Sequence, residues 1–149
     1  MLIDCGANVE AKPINLLHFA LMGSCYMKEL FDIENPKVAL LNVGTEAEKG
    51  TEFTKEAYQL LKNAKGLNFV GNVEGRDINE GDVDVVVSDG FTGNIALKSI
   101  EGAVSLVNNL KKLKQKWTIQ NTVALHFWDA KKLLSNLMVQ VNRKRFWRV

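Results

Sequence analysis

Apolar and polar positions alternate along this chain in blocks that predict strands and helices in turn. Met1 to Cys5 is a short apolar run read as a strand, and Asp4-Cys5-Gly6-Ala7-Asn8 turns out of it. Pro13 suits the first turn of a helix, where its missing N–H costs little. The helix is expected from Pro13 to Phe31, with Leu16, Leu17, Ala20, Leu21 and Leu30 on its apolar face. Asn35-Pro36 marks a turn. Lys37 to Val43 reads as a second strand, built on the buried run Val38-Ala39-Leu40-Leu41. A helix over Thr51 to Lys65 presents Phe53, Ala57, Leu60 and Leu61. Leu67 to Val70 is a short strand, and Val83 to Val87 is β-branched and buried in character. A last helix is expected from Ile95-Ala96-Leu97 onward. The order β-α-β-α-β-turn-β-α implies an α/β fold with a mainly parallel sheet and flanking helices on both faces.

In a parallel sheet the carboxyl ends of all strands share one edge, where ligands of open α/β sheets bind. Four glycine-bearing polar loops follow strands here: Gly6–Pro13, Gly44–Thr51, Gly71–Asp77 and Asp89–Asn94. The richest is Asn42 to Lys55. Gly44 and Gly50 admit close approach of backbone N–H groups to an anion, Lys49 adds a full charge, and the helix start adds a partial one. Thr51 or Gly50 caps that helix, and Lys55 lies one turn in. Asn8, Asn72 and Asn94 recur across the loops with Lys12, Lys49 and Arg76, and Asp89 and Glu74 are acidic candidates. A cleft that holds phosphate or polarises a carbonyl fits this chemistry. Taken singly, each loop also reads as an ordinary connection: Thr51 capping, Lys49 solvated, Asp89 capping the helix after it, and Asn94 holding its own turn.

Other chemistries lack their signatures. The sequence holds no G-x-G-x-x-G, no G-x-x-x-x-G-K-[ST], no G-x-S-x-G and no Cys/His set at zinc spacing. His18 has no partner histidine nearby and reads as a helix-surface residue. Cys5 and Cys25 are the only cysteines of 149 residues, so there is no disulfide framework, and both read as core thiols in a reducing cytoplasm. The pattern reads as having no basic-then-apolar signal peptide and no membrane-spanning run, so neither is expected.

Charge divides the chain. Residues 108–149 carry ten Lys/Arg and one acid, a net +9, whereas the preceding 107 residues net −7. Trp117, Trp128 and Trp147 all lie in the basic part. This predicts a core over 1–107 and a basic, Trp-containing tail over 108–149. Within the tail, Leu110–Lys116 extends the last helix as a basic amphipathic stretch, Val123–Trp128 is strand or helix, and Leu133, Leu134, Leu137, Met138 and Val141 have helical spacing. Nucleic acid and a membrane surface are both partners for such a composition, and neither is the leading expectation.

Seven segments stand in order along the chain: Asp4-Cys5-Gly6-Ala7-Asn8-Val9-Glu10-Ala11-Lys12-Pro13, Met22-Gly23-Ser24, Glu34-Asn35-Pro36-Lys37-Val38, Leu41 to Glu46, Glu48-Lys49-Gly50, Phe69 to Asp77 and Val85 to Asn94. Together they closely resemble the PlsX-type phosphate acyltransferases. They run from residue 1 to about 104. The resemblance implies transfer of a fatty acyl group from an acyl carrier protein thioester to inorganic phosphate, giving acyl phosphate for phospholipid synthesis. It implies a fold similar to the isocitrate and isopropylmalate dehydrogenases, a homodimer, a cytoplasmic enzyme associated peripherally with the membrane, and no cofactor. The family's catalytic lysine maps onto Lys49, which would bind and orient phosphate. Asn8, Lys12, Gly50, Thr51, Asn72, Asp89 and Asn94 are expected to line the phosphate and substrate cleft, with no metal and no nucleic acid.

The family's D-A-M-G-G-D and S-A-G-N-T-G-A segments, and its later Y-x-x-x-G-G and H-G-S segments, are absent. The chain is therefore expected to be a central piece of the enzyme with an incomplete sheet, which leaves its activity alone open, and to end in an out-of-frame tail or as a truncated gene product rather than in a divergent, selected tail. The alternative is a non-catalytic module that binds phosphate, acyl carrier protein or anionic lipid.

Overall fold

The computed structural model describes residues 1–118, with side chains described through residue 111. The chain divides into two compact units, Met1–Ala96 and Leu97–Val149. The expectations for Val123–Trp128, for Asp129–Val141 and for most of the basic tail lie outside the described residues.

Four strands form one parallel sheet in the order β1-β4-β2-β3, with β1 at Leu2–Ile3, β2 at Lys37–Leu41, β3 at Asn68–Val73 and β4 at Val85–Val87. The sheet register sets Val38 beside Val85 and Leu40 beside Val87, so these side chains point to one face. Helices α1 (Pro13–Phe31) and α2 (Glu52–Asn63) share that face: Leu16, Ala20, Met27, Ala57 and Leu61 form one core cluster with Val38, Leu40, Val85 and Val87. Full burial of Leu16, Leu40 and Leu61 contributes roughly 1.5–3 kcal/mol each.

Helix α1 has the expected bounds, but its buried stripe is Leu16, Ala20, Gly23, Ser24 and Met27. Leu21 and Leu30, expected on that stripe, are 44% and 61% exposed. Gly23 sets the stripe: a Cβ there would stand 2.6 Å from a Val85 methyl, so the helix rides on the sheet at its glycine. The helix ends at Asp32, in the left-handed region at φ 54°. Helix α2 is capped by Thr51, whose Oγ1 accepts the Thr54 N–H at 3.3 Å.

Several boundaries move relative to the sequence expectation: β1 is Leu2–Ile3 rather than Met1–Cys5, β2 ends at Leu41 rather than Val43, α2 is Glu52–Asn63 rather than Thr51–Lys65, β4 begins at Val85 rather than Val83, and two further shifts change where candidate residues lie. Strand β3 continues through Gly71 to Val73, because an irregularity opposite Val38/Ala39, with Gly71 at φ 108°, absorbs the extra residue and pairing resumes. Asn72 is thus a strand residue rather than a loop residue. Helix α3 (Gly90–Thr118) begins at Gly90, so Asn94 lies in a helix rather than in the loop before it. Among the described residues, no helix is long and apolar enough to cross a membrane.

Candidate active site

Because every strand runs the same way, the segments after β1, β2, β3 and β4 all leave one edge of the sheet. The candidate residues fall into two groups there, one after the β1/β4 pair and one after the β2/β3 pair.

Asp4 organises the first group. Its carboxylate is buried, and its Oδ1 accepts the N–H groups of Gly6 and Ala7 at 3.0 and 2.9 Å. Its Oδ2 accepts the Asn8 N–H at 2.6 Å and the Asn8 side-chain amide at 3.0 Å. Burial pushes its pKa up, but these hydrogen bonds outweigh burial and hold the carboxyl below its ordinary value. Asn8 is thus folded back onto Asp4 by its amide, and its carbonyl accepts the Gly90 N–H at 2.9 Å. Asp89 Oδ1 accepts the Thr92 N–H at 2.8 Å, the capping role that its position at the start of α3 allows. Asn94 is exposed and lies over Gly6. Lys12 is exposed at the start of α1, where its N–H donates to Asn15 Oδ1 at 2.8 Å.

The second group surrounds Lys49, which is exposed. The main chain on both sides of Lys49 is tied: its N–H donates to the Glu46 carbonyl at 3.2 Å, and its carbonyl accepts the Asn42 side-chain amide at 3.0 Å. Asn72, only 7% exposed, donates its amide to the same Glu46 carbonyl at 2.8 Å, while its Oδ1 is buried without a protein partner. Gly50 sits at φ 95°, and a Cβ there would overlap Asn42 Oδ1 and Thr54 Oγ1. Arg76 does not extend the cationic surface, since Glu74 lies 2.6 Å and Asp77 3.6 Å from its guanidinium.

Sequence reasoning passed over Asp4 and Asn42 as individual site residues. The signal for Asp4 was an Asx-type turn, a carboxylate two residues before Gly6-Ala7-Asn8. For Asn42 it was an amide between the end of a strand and Gly44. It also read both cysteines as core thiols. Cys25 is in fact exposed and Cys5 half-buried, with its thiol donating to the Leu2 carbonyl at 3.4 Å. Burial, followed by the Asp4 charge, pushes the Cys5 pKa up. No group of three or more His, Cys, Asp or Glu poised to hold a metal ion occurs among the described residues.

One family model and three relatives bear on this geometry. The family model described as "Fatty acid synthesis protein" matches residues 1–146. A phosphate acyltransferase of Bacillus pumilus is 59% identical over 113 residues, which cover 75% of this chain and 34% of that protein. One of Clostridium tetani is 57% identical over 112 residues, again 75% of this chain and 33% of the relative. One of Thermosipho africanus is 49% identical over 146 residues, 98% of this chain and 44% of the relative. The chain thus spans a third to less than half of the length of these relatives. It belongs to the fatty acid synthesis protein family, as a stretch of the PlsX-type phosphate acyltransferase kind.

Proposed function

We propose that this chain carries the phosphate-handling part of an acyltransferase that moves a fatty acyl group from an acyl carrier protein thioester to inorganic phosphate. The observation that carries the reading is the tied loop around Lys49, within a stretch more than half identical to proteins named phosphate acyltransferase. A phosphate oxygen attacks the thioester carbonyl, the C–O bond of acyl phosphate forms, and the C–S bond breaks. The sulfur leaves on the carrier and takes up a proton. Lys49 balances the charge of the bound phosphate and orients it, beside the exposed Thr51 and the backbone N–H of Gly50 at the start of α2. Asn8, Lys12, Asn94 and the capping Asp89 form the other wall. Asn72 acts on the phosphate side through the loop that it supports. Donors at this edge stabilise the oxyanion that develops on the carbonyl.

Apolar side chains stand exposed around the same edge: Val9 after β1, Val43 after β2 and Phe91 in the first turn of α3, at 59%, 78% and 59%. They suit an acyl chain better than a nucleotide. The same reading takes the sheet as part of a dehydrogenase-like layer, the enzyme as a cytoplasmic homodimer resting peripherally on the membrane, and its product as feeding phospholipid synthesis. It assigns residues 1–107 to the acyltransferase core. The test is acyl phosphate formation by the 149-residue chain from acyl carrier protein thioester and phosphate, with Lys49→Ala beside it. Turnover lost in the variant supports a site complete in these residues. Turnover that survives the substitution removes Lys49 from the mechanism. A folded chain that binds phosphate without turnover carries only the binding half of the site.

A further inference from the structure

We infer that Asn42 is a positioning residue for Lys49, an inference that rests on the reading of Lys49 as the phosphate-orienting cation. Asn42 is the first residue past β2, and its own N–H is fixed to the sheet by the Val73 carbonyl at 2.9 Å. Its side-chain amide then bridges the two ends of the loop. Oδ1 accepts the Val43 N–H at 2.9 Å, and Nδ2 donates to the Lys49 carbonyl at 3.0 Å.

Donor and acceptor are both used, so the orientation of the amide is fixed: a flipped carboxamide would set NH₂ against N–H and oxygen against oxygen. The Lys49 N–H is meanwhile held by the Glu46 carbonyl, which Asn72 grips from the neighbouring strand. Both peptide groups of Lys49 are therefore anchored to the ends of β2 and β3 while its ammonium group stays in solvent. The glycine at 50 belongs to the same device, since any Cβ there would push into the Asn42 amide. A lysine on a free loop would pay the entropy of ordering its backbone each time an anion binds; here that ordering is built in.

Asn42→Asp tests the bridge. It keeps the acceptor for Val43 but replaces the donor to Lys49 with a second acceptor facing a carbonyl. Asn68 supplies the matched control, because its amide also donates to a backbone carbonyl, that of Asn35 at 3.0 Å, but at the start of β3 and far along the strand from the site. The measurement is titration of the 149-residue chain with inorganic phosphate, followed by the amide shifts of Lys49 and Gly50. Thermal midpoints of every variant are taken alongside.

The expected result is a saturable response in the parent chain and its loss in Lys49→Ala. Asn42→Asp should weaken affinity about fivefold or more, the scale of one hydrogen bond. Asn68→Asp should leave affinity unchanged even where its thermal midpoint falls. Parent-like affinity in Asn42→Asp, with Lys49→Ala silent, overturns the positioning role and leaves the reading of Lys49 standing. Equal weakening in Asn42→Asp and Asn68→Asp also overturns it, as the loss then tracks stability alone. No phosphate response in the parent, or an unaltered one in Lys49→Ala, overturns the reading of Lys49 and this inference with it.

Discussion

Gly93 stands directly against the backbone of Asp4: a Cβ built on Gly93 would overlap the Asp4 carbonyl oxygen. One turn earlier, a Cβ on Gly90 would come within 2.8 Å of the Asn8 carbonyl oxygen. Both obstacles are main chain and cannot swing aside as a side chain would. The first turn of α3 is thus seated on the loop after β1 through two glycines three residues apart. Gly93→Ala is expected to lower stability by about 2–3 kcal/mol or more, the cost of forcing extra volume into a filled site. Urea denaturation of the two proteins measures this. A loss below about 0.5 kcal/mol would show that the loop and helix separate easily and that the contact is incidental.

The carboxylate of Asp4 ties that loop from the other side, and its cost appears as pH dependence. Burial raises its pKa, but hydrogen bonds from Ala7, Asn8 and Gly6 lower it further, so the folded value lies below the ordinary 3.8. A group depressed on folding stabilises the native state above its unfolded pKa, and that stabilisation is lost as pH falls through the folded pKa. Asp4→Asn should therefore cost about 1–3 kcal/mol at neutral pH. The gap between parent and variant should narrow as pH drops below 3.8. Stability curves from pH 7 to pH 3 check the sign; a gap that stays constant across that range would remove the carboxylate charge from the account.

These glycines also explain where the sequence misleads. Ser88 to Asn94 reads as a loop because glycine is a poor helix former, worth about 1 kcal/mol against alanine. Tertiary contact overrides that preference, since Gly90 and Gly93 are where the helix touches main chain. Gly71 misleads similarly: it reads as the end of β3 but absorbs an irregularity within it. Elements whose signals are local and agree with their packing were legible, as with Pro13 opening α1, Thr51 capping α2 and the valines of β4. The shared edge of the candidate site followed from strand alternation alone. The pairing of Asn42 with Lys49 did not, because a bond seven residues apart across a loop leaves no periodic trace. Leu21 and Leu30 looked like core by spacing, yet the stripe is set by Gly23 against Val85, which no hydropathy pattern reveals.

Cys5 and Cys25 should differ sharply in reactivity. Cys25 is exposed on α1, whereas the Cys5 thiol is half-buried with its pKa raised by burial and by the Asp4 charge. The thiolate is the reactive form, so alkylation at pH 7.5 should label Cys25 at least about tenfold faster than Cys5. Peptide mass spectrometry after timed quenching reads both sites. Unfolding in urea should erase the difference, and equal rates in the native chain would mean that the β1 segment opens readily.

Gly50 concentrates the demands of the site into one position. Its φ of 95° already disfavours any side chain, and a Cβ would push into both the Asn42 amide and the Thr54 hydroxyl. Gly50→Ala thus strains the backbone, disturbs the bridge to the Lys49 carbonyl and crowds the first turn of α2 at once. The strain alone is worth about 1–3 kcal/mol. If the loop serves phosphate, the variant should lose phosphate response well beyond its loss of stability, measured at a temperature where it is still fully folded. Gly66 is the comparison, since it too has a positive φ, 78°, but no atom within 4 Å of its Cβ position. Gly66→Ala should cost similar backbone strain and leave phosphate response intact. If both alanine variants bind phosphate as the parent does, the geometry around Lys49 does not matter to the anion, and the loop is only a connection.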